Sequence, residues 1–156
     1  MTSTQSTSAF STQSNVVTFP GSKTRLAVTL ETNSWSEEVA HHLEELVRLP
    51  VGWDGYYGQP VTFVNAIFAF EVLRVTCIPG SRPPQIVPGS EGDLQIEWHT
   101  LNGDLELHVK APNDVHAWFE KTGAEGISID LNTDYSDVVT WVKTIAEPAS
   151  DNAAAA

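Results

Sequence analysis

From Asp93 to Lys110 the chain reads DLQIEWHTLNGDLELHVK, with apolar residues at every second position on both sides of an Asn-Gly dipeptide. A period of two sends successive side chains to opposite faces of a strand, and Asn-Gly is the favoured centre of a two-residue hairpin turn. The segment therefore predicts an antiparallel strand pair. With Asn102-Gly103 at the turn, Leu101 faces Asp104, and the pairs run Thr100 with Leu105, His99 with Glu106, Trp98 with Leu107, Glu97 with His108, Ile96 with Val109 and Gln95 with Lys110. Leu94, Ile96, Trp98 and Leu107 then point into a core, while Glu97, His99, Glu106 and His108 form a checkerboard of imidazoles and carboxylates on the other face.

The flanking segments extend this pattern. DVHAWFEK reads as a third strand after an Ala-Pro-Asn-Asp turn, and GISIDL as a fourth, with Ile127, Ile129 and Leu131 alternating. Near the amino terminus, NVVTFPGSKTRLAVTL reads as two short strands around a Pro-Gly-Ser turn, with Leu26, Val28 and Leu30 inward. Three segments have helical periodicity. In NSWSEEVAHHLEELVRLP, Ser34 and Glu37 form a capping box, Trp35, Val39, Leu43 and Leu46 make an apolar stripe, and Pro50 ends the run. Thr62 to Cys77 is apolar over most of its circumference, which predicts a helix buried at the centre of the core with Cys77 as a small buried hydrophobe. DYSDVVTWVKTIAE places Val138, Trp141, Val142 and Ile145 on one face, with Asp134 or Ser136 as cap. The expected fold class is α+β, an antiparallel sheet of about four to six strands packed by two or three helices on one face. Residues 1–15, rich in Ser and Thr, and residues 147–156 read as disordered tails around a single domain at 16–146.

Charge narrows the function classes. The chain carries a net charge of −12, and residues 91–156 hold thirteen of its acids against three bases. Such a field repels nucleic acid and anionic membrane and steers basic partners inward. No apolar run is long enough to span a bilayer, no basic or apolar leader precedes Lys23, and the single cysteine excludes an internal disulfide. These features predict a cytoplasmic protein.

The stretch RLPVGWDGYYGQPVT, residues 48–62, is the conspicuous connector. Gly52 and Gly55 permit backbone angles closed to other residues, Asp54-Gly55 is turn chemistry, and Trp53, Tyr56 and Tyr57 are large aromatics. The expectation is that the aromatics plug the seam between helices and sheet; the alternative is that they contact a partner. The loop, followed by PQIVPGSEGDLQIEWH and GDLELHV, resembles a scattered group of small bacterial proteins that share a GWDGYG…P loop, a P-x-I-x-P segment and a G-x-(I/L)-Q-(I/L)-E-W-H strand. The resemblance covers about residues 48 to 126 and departs from the group's pattern at the extra Tyr57. It supports the domain boundaries and brings no catalytic residue with it.

Three classes of function fit these features. The preferred one is a non-enzymatic protein that binds and blocks a basic protein partner, as antitoxins, immunity proteins and phage anti-defence proteins do, with the acidic half docking on a basic groove or imitating nucleic acid. Its candidate contact residues are Trp53, Asp54, Tyr56 and Tyr57 on the loop, with Glu91, Asp93, Glu97, Asp104 and Glu106 around the hairpin. The others are a small enzyme and a ligand or metal module on the Glu97/His99/Glu106/His108 face. The sequence has no HExxH or clustered Cys/His spacing, so no metal, cofactor or catalytic residue is expected.

Overall fold

In a computed structural model, residues 16–17, 26–27 and 34–147 are described. Two compact units divide the chain, Met1–Thr32 and Asn33–Ala156. The first contains β1 (Val16–Val17) and β2 (Leu26–Ala27), paired antiparallel. The expected inward alternation of Leu26, Val28 and Leu30 lies outside the described side chains and residues, as does the Ser34 cap.

The second unit is built from α1 (Ser34–Val47), α2 (Phe63–Thr76), β3 (Gln85–Pro88), β4 (Leu94–Thr100), β5 (Gly103–Ala111), β6 (Asp114–Lys121), β7 (Ile127–Leu131) and α3 (Ser136–Ile145). Its five strands form one antiparallel sheet in chain order. The fold is therefore α+β, with three helices contacting the sheet. Leu94, Ile96, Trp98, Leu105, Leu107, Val109, Val115, Ala117 and Phe119 are buried from one face of the sheet. Ala66, Ala69 and Leu73 of α2 are buried where that helix meets β4 and β5, Val138, Val142 and Ile145 of α3 where it meets β5 and β6, and Val39, Leu43 and Leu46 of α1 where it meets α2 and β3. Trp141 stacks on Phe119 with ring centroids 4.9 Å apart. Among the described residues no helix is long and apolar enough to cross a membrane.

The hairpin register differs from the sequence expectation. Thr100 pairs with Gly103, and the rungs run His99 with Asp104, Trp98 with Leu105, Glu97 with Glu106, Ile96 with Leu107 and Gln95 with His108. The slip is two residues, which leaves every side chain on its expected face, so matching apolar to apolar could not discriminate the registers. Gly103 decides it. A side chain there would meet the Glu120 carbonyl oxygen at 2.4 Å and Ile145 Cγ2 at 3.0 Å, so this glycine is a strand residue wedged between β6 and α3. The turn is Leu101-Asn102, secured by the Thr100 hydroxyl, which donates to the Gly103 carbonyl at 2.9 Å and accepts from the Asn102 and Gly103 amides.

Two further expectations change. β3 lies in the proline-containing PQIVP segment, to which the sequence reading above assigns no strand. α2 is buried along Asn65, Ala66, Ala69, Phe70, Val72, Leu73 and Thr76, yet Val64 and Val75 are more than half exposed, so it covers the sheet with one face instead of filling the core. Of the two buried polar residues of that face, Thr76 donates its hydroxyl to the Val72 carbonyl at 2.8 Å, and Asn65 donates its side-chain amide to the carbonyls of Gly92 at 2.9 Å and Lys110 at 3.2 Å.

Candidate functional site

The connector between α1 and α2 closes on itself through its own backbone. The Gly52 amide donates to the Gly58 carbonyl at 2.8 Å, and Trp53 and Gly55 donate back to Pro50 and Gly52. Asp54 Oδ1 accepts from the amides of Tyr56 and Gly58, both at 2.9 Å, and these bonds hold its carboxyl below the usual carboxylate range. Gly52 and Gly55 adopt φ of 82° and 83°, as the turn chemistry requires. Trp53 is half-buried and its indole donates to the Gln59 carbonyl at 3.0 Å. Tyr56 and Tyr57 are 82% and 88% exposed. The expected plug is therefore wrong for these two residues: with Asp54 and the glycines closing the loop beneath them, their rings are carried outward.

The loop is joined to the sheet. The Gln59 amide donates to the Ser90 carbonyl at 2.9 Å, and Gln59 bridges to Glu91. In the Gly89–Asp93 turn, Asp93 Oδ1 accepts from the Glu91 amide at 2.9 Å, while Oδ2 meets His108 Nε2 at 2.5 Å. Partial burial pushes the Asp93 carboxyl up, but the hydrogen bonds with His108 and the Glu91 amide together outweigh it and leave the carboxyl below its usual range. Asp54 and Asp93 thus shape their loops, and Glu91 stands between the tyrosine loop and the sheet.

The sheet face away from the helices carries the polar residues. One rung runs Gln85, Glu97, Glu106, Trp118 and Ser128, with two carboxylates directly opposite each other. A second runs His99, Asp104 and Glu120. A third runs Val87, Gln95, His108, His116 and Asp130. The expected His99–Glu106 and Glu97–His108 pairs do not form. His99 instead meets Asp104 through Nδ1 at 2.9 Å and Glu97 through Nε2 at 3.2 Å. A ring with a carboxylate on each nitrogen needs both protons to satisfy both bonds, so Asp104 first and Glu97 second raise its pKa above the ordinary histidine value. Beside it, Arg82, Trp98 and Glu147 help line a recess of about 150 Å³ where β4 runs past the end of β3.

A further cluster forms where β6 pairs with β7. His116 Nδ1 meets Asp130 Oδ1 at 2.7 Å, and Ser128 Oγ lies 2.8 Å from His116 Nε2. Ser128 and Asp130 share a face of β7 through i, i+2 spacing, and β6 brings His116 opposite Asp130. The signal was present in the HxW and SxD pairs, but only the β6–β7 register unites them. With Nδ1 donating to Asp130, Nε2 is left to accept from the serine hydroxyl, the atom order that activates a serine nucleophile. Asp130 is 84% exposed, where water competes for its oxygens.

No family model, curated protein or solved structure matches the chain. The chemistry of the site therefore rests on its own geometry. Among the described residues no group of three or more His, Cys, Asp and Glu side chains converges as a metal site. Cys77, half-buried at the end of α2, has its thiol pushed up to about 12 by burial and is inert as a nucleophile at neutral pH.

His99 gives a pH signature. Its folded pKa lies above the ordinary value of about 6.5, so the stabilisation from its two carboxylates is fully present below that pH and is lost as pH rises through the folded value. In urea titrations, the stability advantage of wild type over His99→Gln should be largest near pH 6 and shrink toward pH 8, with pH 6 well above the carboxylate titrations. An advantage that grows with pH would contradict the doubly bonded ring.

Proposed function

We propose that this is a non-enzymatic protein that docks on and blocks a protein partner with a basic surface, in the manner of antitoxins, immunity proteins and phage anti-defence proteins. The carrying observation is the pair Tyr56 and Tyr57, largely exposed on a loop closed by Asp54 and by the Gly52–Gly58 hydrogen bond. Tyrosine offers a large amphipathic contact with few rotatable bonds, and a loop already fixed in the free protein loses little conformational entropy on docking. The same loop is one of the three motifs in the resemblance to small bacterial proteins noted above.

The charge distribution supports the choice of partner. Glu97 and Glu106 face each other, as do Asp104 and Glu120, and His99 lies between Glu97 and Asp104. Like charges directly opposite destabilise a sheet, and a cationic side chain placed over them relieves that repulsion. Glu91 continues the acidic surface to the loop. In this reading the tyrosines hold the partner and the carboxylates hasten its approach.

The double variant Tyr56→Ala/Tyr57→Ala should keep the wild-type melting temperature within a few degrees and lose about 30-fold or more in affinity for a partner recovered from host lysate at low salt, the size of a ~2 kcal/mol hot-spot truncation. Asp104→Lys with Glu106→Lys should instead slow association, and binding should weaken as salt rises past about 0.15 M. Undiminished binding by the tyrosine variant would remove the loop from the interface.

The Ser128–His116–Asp130 relay supports a second reading, a small hydrolase that forms an acyl-enzyme on Ser128. A fluorophosphonate probe discriminates the two. Labelling of Ser128 that disappears in His116→Ala would establish an activated serine, and an unlabelled wild type would leave the relay as a surface hydrogen-bond network.

A further inference from the structure

The two edges of the sheet differ in how they end. β3 is four residues long, closes at Pro88 and follows Pro83 and Pro84, so proline removes ladder donors along and before it. β7 has no proline and pairs with β6 on one side; among the described residues no strand pairs with its other side. Such an edge presents a row of amide and carbonyl groups to whatever extended chain arrives.

Side chains on β7 show that the core face is also unfinished there. Ile127, Ile129 and Leu131 alternate toward the face the helices cover, yet Leu131 is buried, Ile129 is half-buried and Ile127 is 48% exposed. α3 packs on β5 and β6, with Trp141 stacked on Phe119, the residue opposite Ile127. One more strand beside β7 would extend that apolar face over Ile127 and Ile129 and satisfy the backbone in the same step.

Charge selects what that strand can be. Residues 114–147 hold seven carboxylates against two lysines, and Glu125, Asp130 and Asp134 are exposed around β7. The His116 hydrogen bond first, with Lys110 nearby, holds the Asp130 carboxyl below the usual carboxylate range. A second copy of a chain with net charge −12 would be repelled at such an edge, whereas a segment alternating basic and apolar residues matches it on both faces.

We propose that the free edge of β7 accepts an extended basic segment of a protein partner as a sixth strand of the sheet. Apolar side chains of the guest cover Ile127 and Ile129, and its lysines or arginines face Asp130. This is β-strand addition, in which the main chain supplies affinity and alternate side chains supply specificity. It rests on the partner-binding reading above and adds to it a contact independent of the tyrosine loop.

The test uses the full chain and a short peptide of alternating lysine and valine, with two controls: glutamate in place of lysine, and methylation of every backbone nitrogen. Backbone amides in Ile127–Leu131 should gain about tenfold or more in hydrogen-exchange protection with the lysine peptide, and each control should bind about tenfold or more weakly. Asp130→Lys should weaken the lysine peptide by a similar factor at unchanged melting temperature. The response should persist in Tyr56→Ala/Tyr57→Ala, so loss of the host partner in that variant tests the loop and leaves the edge to be judged by the peptide. Equal binding of the methylated peptide, protection confined to other strands, or β7 protection that grows with protein concentration without peptide would each overturn the proposal.

Discussion

The buried side chain of Asn65 ties the working end of the molecule together. Its amide donates to Gly92 ahead of β4 and to Lys110 in β5, and the Thr62 amide shares the Gly92 carbonyl at 2.9 Å. Gly92 has φ of 83°, and a side chain on it would meet Thr62 Cγ2 at 2.9 Å, so α2 and the approach to β4 touch with no room for a Cβ. Removing one partner from a buried hydrogen bond costs about 1–3 kcal/mol, and without Asn65 the Lys110 carbonyl would lose this donor while the Gly92 carbonyl would keep the Thr62 amide. The tyrosine loop enters α2 through this corner, and the Gly89–Asp93 turn leaves it for the sheet.

From that corner the chain divides its labour between two faces. The inner face of the five-stranded sheet collects apolar residues, and the three helices contact it at β3 to β6. On the outer face, carboxylates oppose carboxylates and each of the three histidines of the sheet is bound to an aspartate, His99 to Asp104, His108 to Asp93 and His116 to Asp130. An arrangement of this kind is stable yet electrostatically unsatisfied, which suits a surface that meets a cationic partner. In the proposed reading, the aromatics at one end and the charge across the face are complementary parts of one interface.

Much of the fold was legible because it depends on period. Alternation in residues 94–110 placed Leu94, Ile96, Trp98 and Leu107 inward, and the spacing of Val138, Val142 and Ile145 marked the buried face of α3. The register was not legible, because a slip of two preserves each face and the deciding contact of Gly103 with Glu120 and Ile145 is long-range. β3 was hidden by its prolines, which weaken a strand signal without forbidding an edge strand. The site was legible in composition but not in role. Asp54 and Asp93, candidate contact residues in the sequence, prove to shape loops, the aromatics of one connector split into a tethered Trp53 and two exposed tyrosines, and Ser128, His116 and Asp130 meet only through pairing of β6 with β7.

The central claim is that Tyr56 and Tyr57 are held in place before any partner arrives. Backbone ¹⁵N relaxation of the free protein across Gly52–Gln59 tests it directly. Closure by Asp54 and the Gly52–Gly58 bond predicts order parameters of about 0.85, equal to those of the flanking helices, whereas values below about 0.6 would show a flexible loop and contradict the preorganised interface.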